Sequence, residues 1–68
     1  MASPRALTKD EVLDMVRRGE SLDGADLRGT DLSGIDLAGR SLRNAKLGEA
    51  VLVRANLKGT DLSGASLW

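Results

Sequence analysis

Leucine recurs at every fifth position along most of this 68-residue chain. The ten positions follow one another without a gap and are Leu22, Leu27, Leu32, Leu37, Leu42, Leu47, Leu52, Leu57, Leu62 and Leu67. On an α-helix a five-residue step turns through about 500°, so successive leucines would not share a face. On a straight strand an odd step sends successive side chains to opposite faces. All ten leucines can be buried only if the chain turns a corner once in each unit.

Small residues surround each leucine in a way that suits a corner. Glycine follows two residues later in six of the ten units, and a small residue mostly stands two residues before. Glycine adopts turn conformations at little cost, and a small side chain leaves room in the interior. A flexible Gly/Leu linker is the alternative interpretation, but a linker has no reason to hold leucine in register ten times.

The unit Ala25-Asp26-Leu27-Arg28-Gly29 resembles the A-(D/N)-L-x-x repeat of the pentapeptide-repeat family. The resemblance covers residues 20–68 and implies an all-β solenoid. Its expected form is a right-handed quadrilateral β-helix of about two and a half coils, with twenty residues in each coil. The sequence departs from the repeat at Glu20 and Arg40, where a small inward residue is usual, and at Lys46 and Val51, where Asp or Asn is usual.

The charge pattern inverts over the same twenty-residue interval. Residues 20–39 hold five acidic residues and one basic residue, whereas residues 40–59 hold five basic residues and one acidic residue. Opposite charges on neighbouring rungs favour a register, and like charges oppose it. The inversion therefore predicts cross-coil ion pairs, which are Glu20–Arg40, Asp23–Arg43 and Asp26–Lys46.

Residues 1–19 differ in kind from the repeats and are predicted to form an N-terminal segment with a capping α-helix over residues 9–18. Thr8 and Glu11 have the spacing of a capping box, with Leu7 and Val12 as a hydrophobic staple. Gly19 is a suitable stop just after the helix. Because the end layer of a solenoid is apolar, we expect the helix to cover the first coil. The domain boundaries are thus 1–19 and 20–68.

Composition excludes several classes of function. The chain has no Cys, no His and a net charge of zero, and its single aromatic residue is Trp68. The sequence therefore excludes catalysis by an imidazole or a thiolate, and it lacks the usual zinc ligands. It also lacks the several aromatic side chains on which nucleic-acid bases could stack. The sequence predicts no enzymatic activity, no cofactor, no metal, and no nucleic-acid, membrane or small-molecule partner. The N-terminus also lacks the apolar region of a signal peptide, so a cytoplasmic location is expected.

Two motifs are better explained by the repeat than by chemistry. Residues 34–41 imitate a phosphate-binding loop, but its glycines stand five apart as the repeat requires, and the strand and helix that a phosphate loop needs do not fit there. Asp26, Asp31 and Asp36 could suggest a cation site. Their five-residue spacing places them on different walls of the coil, where they cannot converge.

The candidate interaction residues are Leu62, Leu67 and Trp68 at the C-terminal end, and Val51 and Val53 on one wall. The N-terminal end carries capping signals and the C-terminal end carries none. The sequence leaves three explanations open, namely that a longer solenoid continues beyond residue 68, that this end docks on another chain, or that it is the frayed end of a monomer. The two valines are also consistent with harmless surface apolar residues, because the patch is small.

The predicted function is a non-enzymatic protein-interaction or structural module that binds a protein partner or a second copy through its C-terminal coil or its walls. The family resemblance implies a bacterial protein, with members found in secretion-associated proteins. It also implies an alternative, a DNA-mimicking protein that binds gyrase, as long acidic members do. A neutral chain of two and a half coils, about 12 Å high at the spacing of paired strands, does not reproduce the charge of a duplex.

Overall fold

The computed structural model describes residues 6–67, in which one helix, α1 (Lys9–Arg17), precedes a chain that returns repeatedly over itself. Successive passes are joined by isolated parallel bridges rather than by continuous strands. Each bridge links two residues twenty apart, and the pairs are Asp26–Lys46, Asp31–Val51, Asp36–Asn56, Ser41–Asp61 and Lys46–Ser66. The twenty-residue period predicted from the sequence is confirmed. We call residues 20–39 the first coil, 40–59 the second coil, and 60–67 the start of the third.

A four-residue turn forms the corner of each unit. The carbonyl of each leucine from Leu22 to Leu62 accepts a hydrogen bond from the amide three residues later, as in Ala25 N to Leu22 O at 3.0 Å. The residue two after the leucine has a positive φ, for example +73° at Gly24. A left-handed third residue is the signature of a type II turn and favours glycine. The five-residue spacing of glycine in the sequence is therefore explained by the positive φ that each corner requires.

Three consecutive corners meet this requirement without glycine. Asn44, Glu49 and Arg54 have φ values of 62°, 60° and 61°. Asparagine tolerates the left-handed region, whereas Glu and Arg adopt it at a cost of roughly 1–2 kcal/mol because Cβ crowds the backbone. The second coil is thus more strained at its corners than the first.

Hydrogen bonds between coils follow a fixed pattern of three per unit. The amide of each leucine and that of the residue two later donate to the coil above, as in Leu27 N to Lys46 O and Gly29 N to Gly48 O, both 2.8 Å. The residue before the next leucine in the upper coil donates down, as in Lys46 N to Ala25 O at 2.9 Å. Each coil is therefore a template for the next.

The core is a column of leucines with few other members. The buried residues are Val12, Leu22, Leu27, Leu32, Ile35, Leu37, Leu42, Ala45 and Leu47. Glu20 stands at a repeat position that usually points inward, yet it is exposed. Its amide bonds to Met15 O at 2.9 Å, so residue 20 still belongs to the end of the helix. Arg40, at the equivalent place one coil later, is half-buried.

Helix α1 begins and ends with the caps that its sequence predicts. The Thr8 side chain accepts from Glu11 N, and the Glu11 carboxylate accepts from Thr8 N at 2.9 Å, which completes the capping box. The helix ends one residue earlier than expected, with Arg18 as C-cap. Gly19 N then donates to Val16 O, and Glu20 N donates to Met15 O. This pair of bonds is a Schellman motif, with left-handed Gly19 at φ +73°.

The segment before and within α1 is bonded directly to the first coil. Leu7 N donates to Asp26 O at 2.7 Å, and the Thr30 hydroxyl donates to Leu7 O at 2.7 Å. The Lys9 ammonium donates to Ser33 O at 2.6 Å. Val12 is completely buried in the same cluster as Leu22 and Leu27. The lower face of the first coil is therefore covered by α1 and its N-terminal flank.

The capping box predicts a defined loss of stability on substitution. Thr8→Ala removes the hydroxyl acceptor for Glu11 N and should lower the free energy of unfolding by about 1 kcal/mol. Thr8→Ser keeps the acceptor and should unfold like the unchanged chain. Chemical denaturation monitored by circular dichroism measures both variants, and equal stability of all three chains would contradict the role of the cap.

The strained corners predict an unusual pair of effects. Arg54→Gly relieves a left-handed arginine and should raise the free energy of unfolding by about 1 kcal/mol, although glycine also gains freedom in the unfolded chain. Gly39→Ala should lower the free energy of unfolding by a similar amount, because a φ of +71° strains any residue with a Cβ. The added Cβ meets nothing within 4 Å, so no clash contributes to this effect. Thermal unfolding measures both changes. A stabilising Gly39→Ala would show that these corners do not require a left-handed residue.

Candidate protein-interaction surface at the C-terminal coil

The upper edge of residues 50–67, here called the C-terminal rim, repeats the backbone groups that join the lower coils. By the pattern of the first coil, the rim presents one carbonyl and two amides in each unit. Within the described part of the chain these groups have no hydrogen-bond partner. They include the amides of Leu52, Leu57 and Leu62 and the carbonyls of Ala55 and Thr60. Such a row of free groups is a template for pairing with another chain.

The leucines of the column become progressively more exposed to solvent toward the rim. Leu42 and Leu47 are buried, with exposed fractions of 1% and 4%, whereas Leu52 and Leu57 are half-buried. The exposed fraction then reaches 37% at Leu62 and 72% at Leu67. Each leucine depends on the coil above for its cover, so the rim combines free backbone groups with apolar side chains.

The candidate interaction residues occupy different parts of this surface. Leu62 and Leu67 lie on the rim, and Trp68 lies outside the described residues. Val51 and Val53 point outward from the second coil, with exposed fractions of 40% and 60%. Val51 is bridged to Asp31 below it. The valines and Leu62 stand about half a coil apart along the chain, so they do not form one patch.

Acidic side chains on the walls are used first by their own turns. At five units the Asp or Asn before the leucine accepts from the amide two residues later, at 3.0–3.2 Å. These acceptors are Asp26, Asp31, Asp36, Asn56 and Asp61. An Asx turn of this kind stabilises the corner through a side-chain hydrogen bond, in addition to the left-handed backbone conformation of the residue two after the leucine. Among residues 6–67 no group of three or more acidic side chains is arranged to hold a metal ion.

None of the three predicted cross-coil pairs forms a side-chain salt bridge among the described residues, although two of them do face each other in the predicted register. The charge of Lys46 helps to lower the pKa of Asp26, and the charge of Arg43 helps to lower the pKa of Asp23. Asp26 pairs with Arg28 of its own turn at 2.7 Å rather than with Lys46. Glu20 pairs with Arg18 at 3.0 Å rather than with Arg40. Asp23 does bridge to the second coil, but it accepts from Arg43 N at 2.9 Å and from the Ser41 hydroxyl. Local and backbone donors therefore take precedence over the basic side chains one coil above.

These contacts lower the pKa of several carboxyl groups. The hydrogen bonds from the Arg28 side chain and backbone, together with its charge, hold the pKa of Asp26 at about 2. Hydrogen bonds from Ser33 lower the pKa of Asp31, and those from Ser63 lower the pKa of Asp61. The pKa of Asp23 is lowered chiefly by the Ser41 hydroxyl. All four carboxylates are therefore stabilised in their charged form by the fold.

Comparison with known proteins agrees with this geometry. A family profile described as pentapeptide repeats, in eight copies, matches residues 21–49 and 41–68. The chain belongs to the pentapeptide-repeat family. No curated protein and no solved structure matches it significantly. Family membership favours a non-enzymatic repeat module, and no helix within residues 6–67 is long and apolar enough to span a membrane.

Sequence reasoning missed two features of this pentapeptide-repeat chain. The left-handed corners at Asn44, Glu49 and Arg54 were signalled by the gap in the glycine series, because glycine is missing after Leu42, Leu47 and Leu52. The bond from Lys9 to Ser33 O had no such signal, since it joins two segments without a shared pattern.

The lowered carboxyl pKa values predict loss of stability in acid. The ordinary pKa of Asp is 3.8, so these groups favour the folded chain above that pH, and the contribution is lost as pH falls toward the folded value of about 2 for Asp26. Stability should fall between about pH 4 and pH 2. Asp31→Asn keeps an acceptor for the turn amide, as Asn56 does, but cannot titrate. The decrease of the free energy of unfolding with falling pH should therefore be less steep in this variant. Urea denaturation at a series of pH values measures this dependence. An unchanged pH dependence in Asp31→Asn would contradict the role of the Asp31 carboxylate.

Proposed function

We propose that this chain is a non-enzymatic protein-interaction module, folded as a right-handed quadrilateral β-helix, whose C-terminal rim binds a second copy of the chain. The twenty-residue period and one corner in every five residues support four walls per coil. The right hand is what the pentapeptide-repeat family implies. The unpartnered backbone groups of the rim are the observation on which the interaction rests.

The spacing of the rim groups restricts what can cover them. Three backbone groups recur in every five residues, and each set lies beyond a corner from the last. A straight strand can pair with one wall and leaves the others exposed to water, and an α-helix has free backbone groups only in its first and last turns. A chain that also turns every five residues can pair along several walls. A second copy has this period.

The two ends of the molecule then determine how the copies meet. The apolar lower face of the first coil is covered by α1, and two of its backbone carbonyls, Asp26 O and Ser33 O, accept from Leu7 N and the Lys9 ammonium. The C-terminal rim is the end at which both the apolar layer and the backbone groups are uncovered, so we place the contact between the rims of the two copies. Two identical surfaces meet through a two-fold axis, which closes the assembly at a dimer. Pairing would cover Leu62 and Leu67, which are the most exposed leucines of the column.

Trp68 provides a direct test, because it is the only tryptophan and follows Leu67 immediately. On dilution through the dissociation range its emission should shift to the red as the indole becomes wet, and light scattering should show the mass falling from dimer to monomer. Leu62→Lys places a charge in the apolar contact and should weaken association more than tenfold.

Val53→Lys is the matched control, since Val53 is 60% exposed on a wall rather than on the rim. It should leave the mass and the emission unchanged. A stable monomer with red emission at every concentration would overturn the proposal. Association lost in Val53→Lys but retained in Leu62→Lys would move the interface to the wall of Val51 and Val53.

A further inference from the structure

A shallow groove lies between α1 and the wall of the first coil, away from the C-terminal rim. Its volume is about 310 Å³, at the small end for a ligand site. Its lining residues are Leu13, Val16, Arg17, Asp36, Ala38 and Arg40. Three of these side chains are apolar, and two are arginines, namely Arg17 at the end of α1 and Arg40 at the start of the second coil.

Both arginines are free of partners within the described residues. Neither Arg17 nor Arg40 takes part in an ion pair or a side-chain hydrogen bond there. Their neighbour Arg18, by contrast, pairs with Asp14 at 2.9 Å and with Glu20 at 3.0 Å. Asp14 and Glu20, the acidic residues within three positions of Arg17, are therefore paired with Arg18.

The other groups near the groove are also satisfied. The Asp36 carboxylate accepts from Ala38 N at 3.1 Å, as the acids of the other turns do. The last helical carbonyls of Met15 and Val16 accept from the amides of the Schellman motif, so Arg17 is not needed to cap the helix. Lys58 lies on the same wall one coil above, where its carbonyl accepts from Gly39 N. The lining therefore holds two positive charges, Arg17 and Arg40, against the single negative charge of Asp36.

From this charge and shape we propose that the groove binds a short acidic segment of a partner protein, with an aliphatic side chain on Leu13, Val16 and Ala38 and a neighbouring Asp or Glu carboxylate between Arg17 and Arg40. Arginine suits a carboxylate because its planar donors can bind both oxygens. The volume admits one side chain and its carboxylate neighbour rather than a folded element. This site is independent of the rim and of self-association.

The test uses blocked peptides and the full chain carrying ¹⁵N. Acetyl-Ala-Leu-Glu-Ala-amide should shift the backbone resonances of Leu13, Val16 and Ala38 and the side-chain Nε–H signals of Arg17 and Arg40. The Gln peptide of the same shape should bind about tenfold more weakly, because it lacks the charge-assisted hydrogen bonds. Replacing Leu by Ala in the peptide should also weaken binding, because the apolar contact is lost.

Protein variants separate the groove from other basic positions. The double variant Arg17→Gln/Arg40→Gln should lose at least about tenfold in affinity for the Glu peptide. Gln keeps part of the aliphatic stem of half-buried Arg40, so the fold should be retained, and the dispersion of the ¹⁵N spectrum measures this directly. Arg43→Gln is the matched control, because Arg43 lies 3.7 Å from Asp61 and lines no part of the groove. It should bind like the unchanged chain.

Several outcomes would overturn the assignment. Equal binding of the Glu and Gln peptides would remove the role of the arginines, and shifts centred on Val51 and Val53 would place the site elsewhere. Groove resonances that move with protein concentration in the absence of peptide would make the occupant a second copy. Retained affinity in Arg17→Gln/Arg40→Gln would likewise refute the proposed contacts.

Discussion

The left-handed residue two places after each leucine is the constraint on which the rest of the structure depends. It lets the chain turn a corner every five residues, and only that turn keeps every leucine on the inside. The same turn aims the leucine amide and the left-handed residue's own amide at the next coil, as Leu27 and Gly29 show. Packing and backbone pairing therefore follow from one local conformation. Glu49 and Arg54 show that the coil imposes this conformation even where the side chain opposes it.

Because each coil pairs only with its neighbours, the two ends determine how the molecule meets other molecules. At the lower end Leu7 supplies a backbone amide to Asp26 and Val12 supplies apolar cover, so α1 replaces a missing coil with a few specific contacts. At the upper end the same template is repeated without a cover in the described residues. Nearest-neighbour architectures stabilise each layer through the layer beside it, which explains why exposure rises steadily from Leu47 to Leu67.

The sequence predicts this fold well where a single pattern determines a single contact. The leucine period predicts the column, and its resemblance to the family predicts the twenty-residue return. The Thr8–Glu11 spacing predicts the cap almost to the residue. Prediction fails where one group has several available partners. Glu20 occupies a repeat position yet belongs to the helix end, because its amide completes the Schellman motif. The groove between α1 and the wall could not be predicted, since no periodicity relates Arg17 to Arg40.

The charge inversion between the coils has a different physical meaning once the contacts are known. A turn amide two residues away is always within reach of an Asp side chain, whereas a lysine or arginine one coil above must order a long side chain to arrive. The acids of the first coil therefore bond to their own turns, as Asp31 and Asp36 do, or to backbone and hydroxyl groups, as Asp23 does. Most basic side chains of the second coil are left without a partner in the described chain, Arg40 and Lys58 among them. A chain with no net charge thus presents acids that are held by the fold and cations that remain available to a partner.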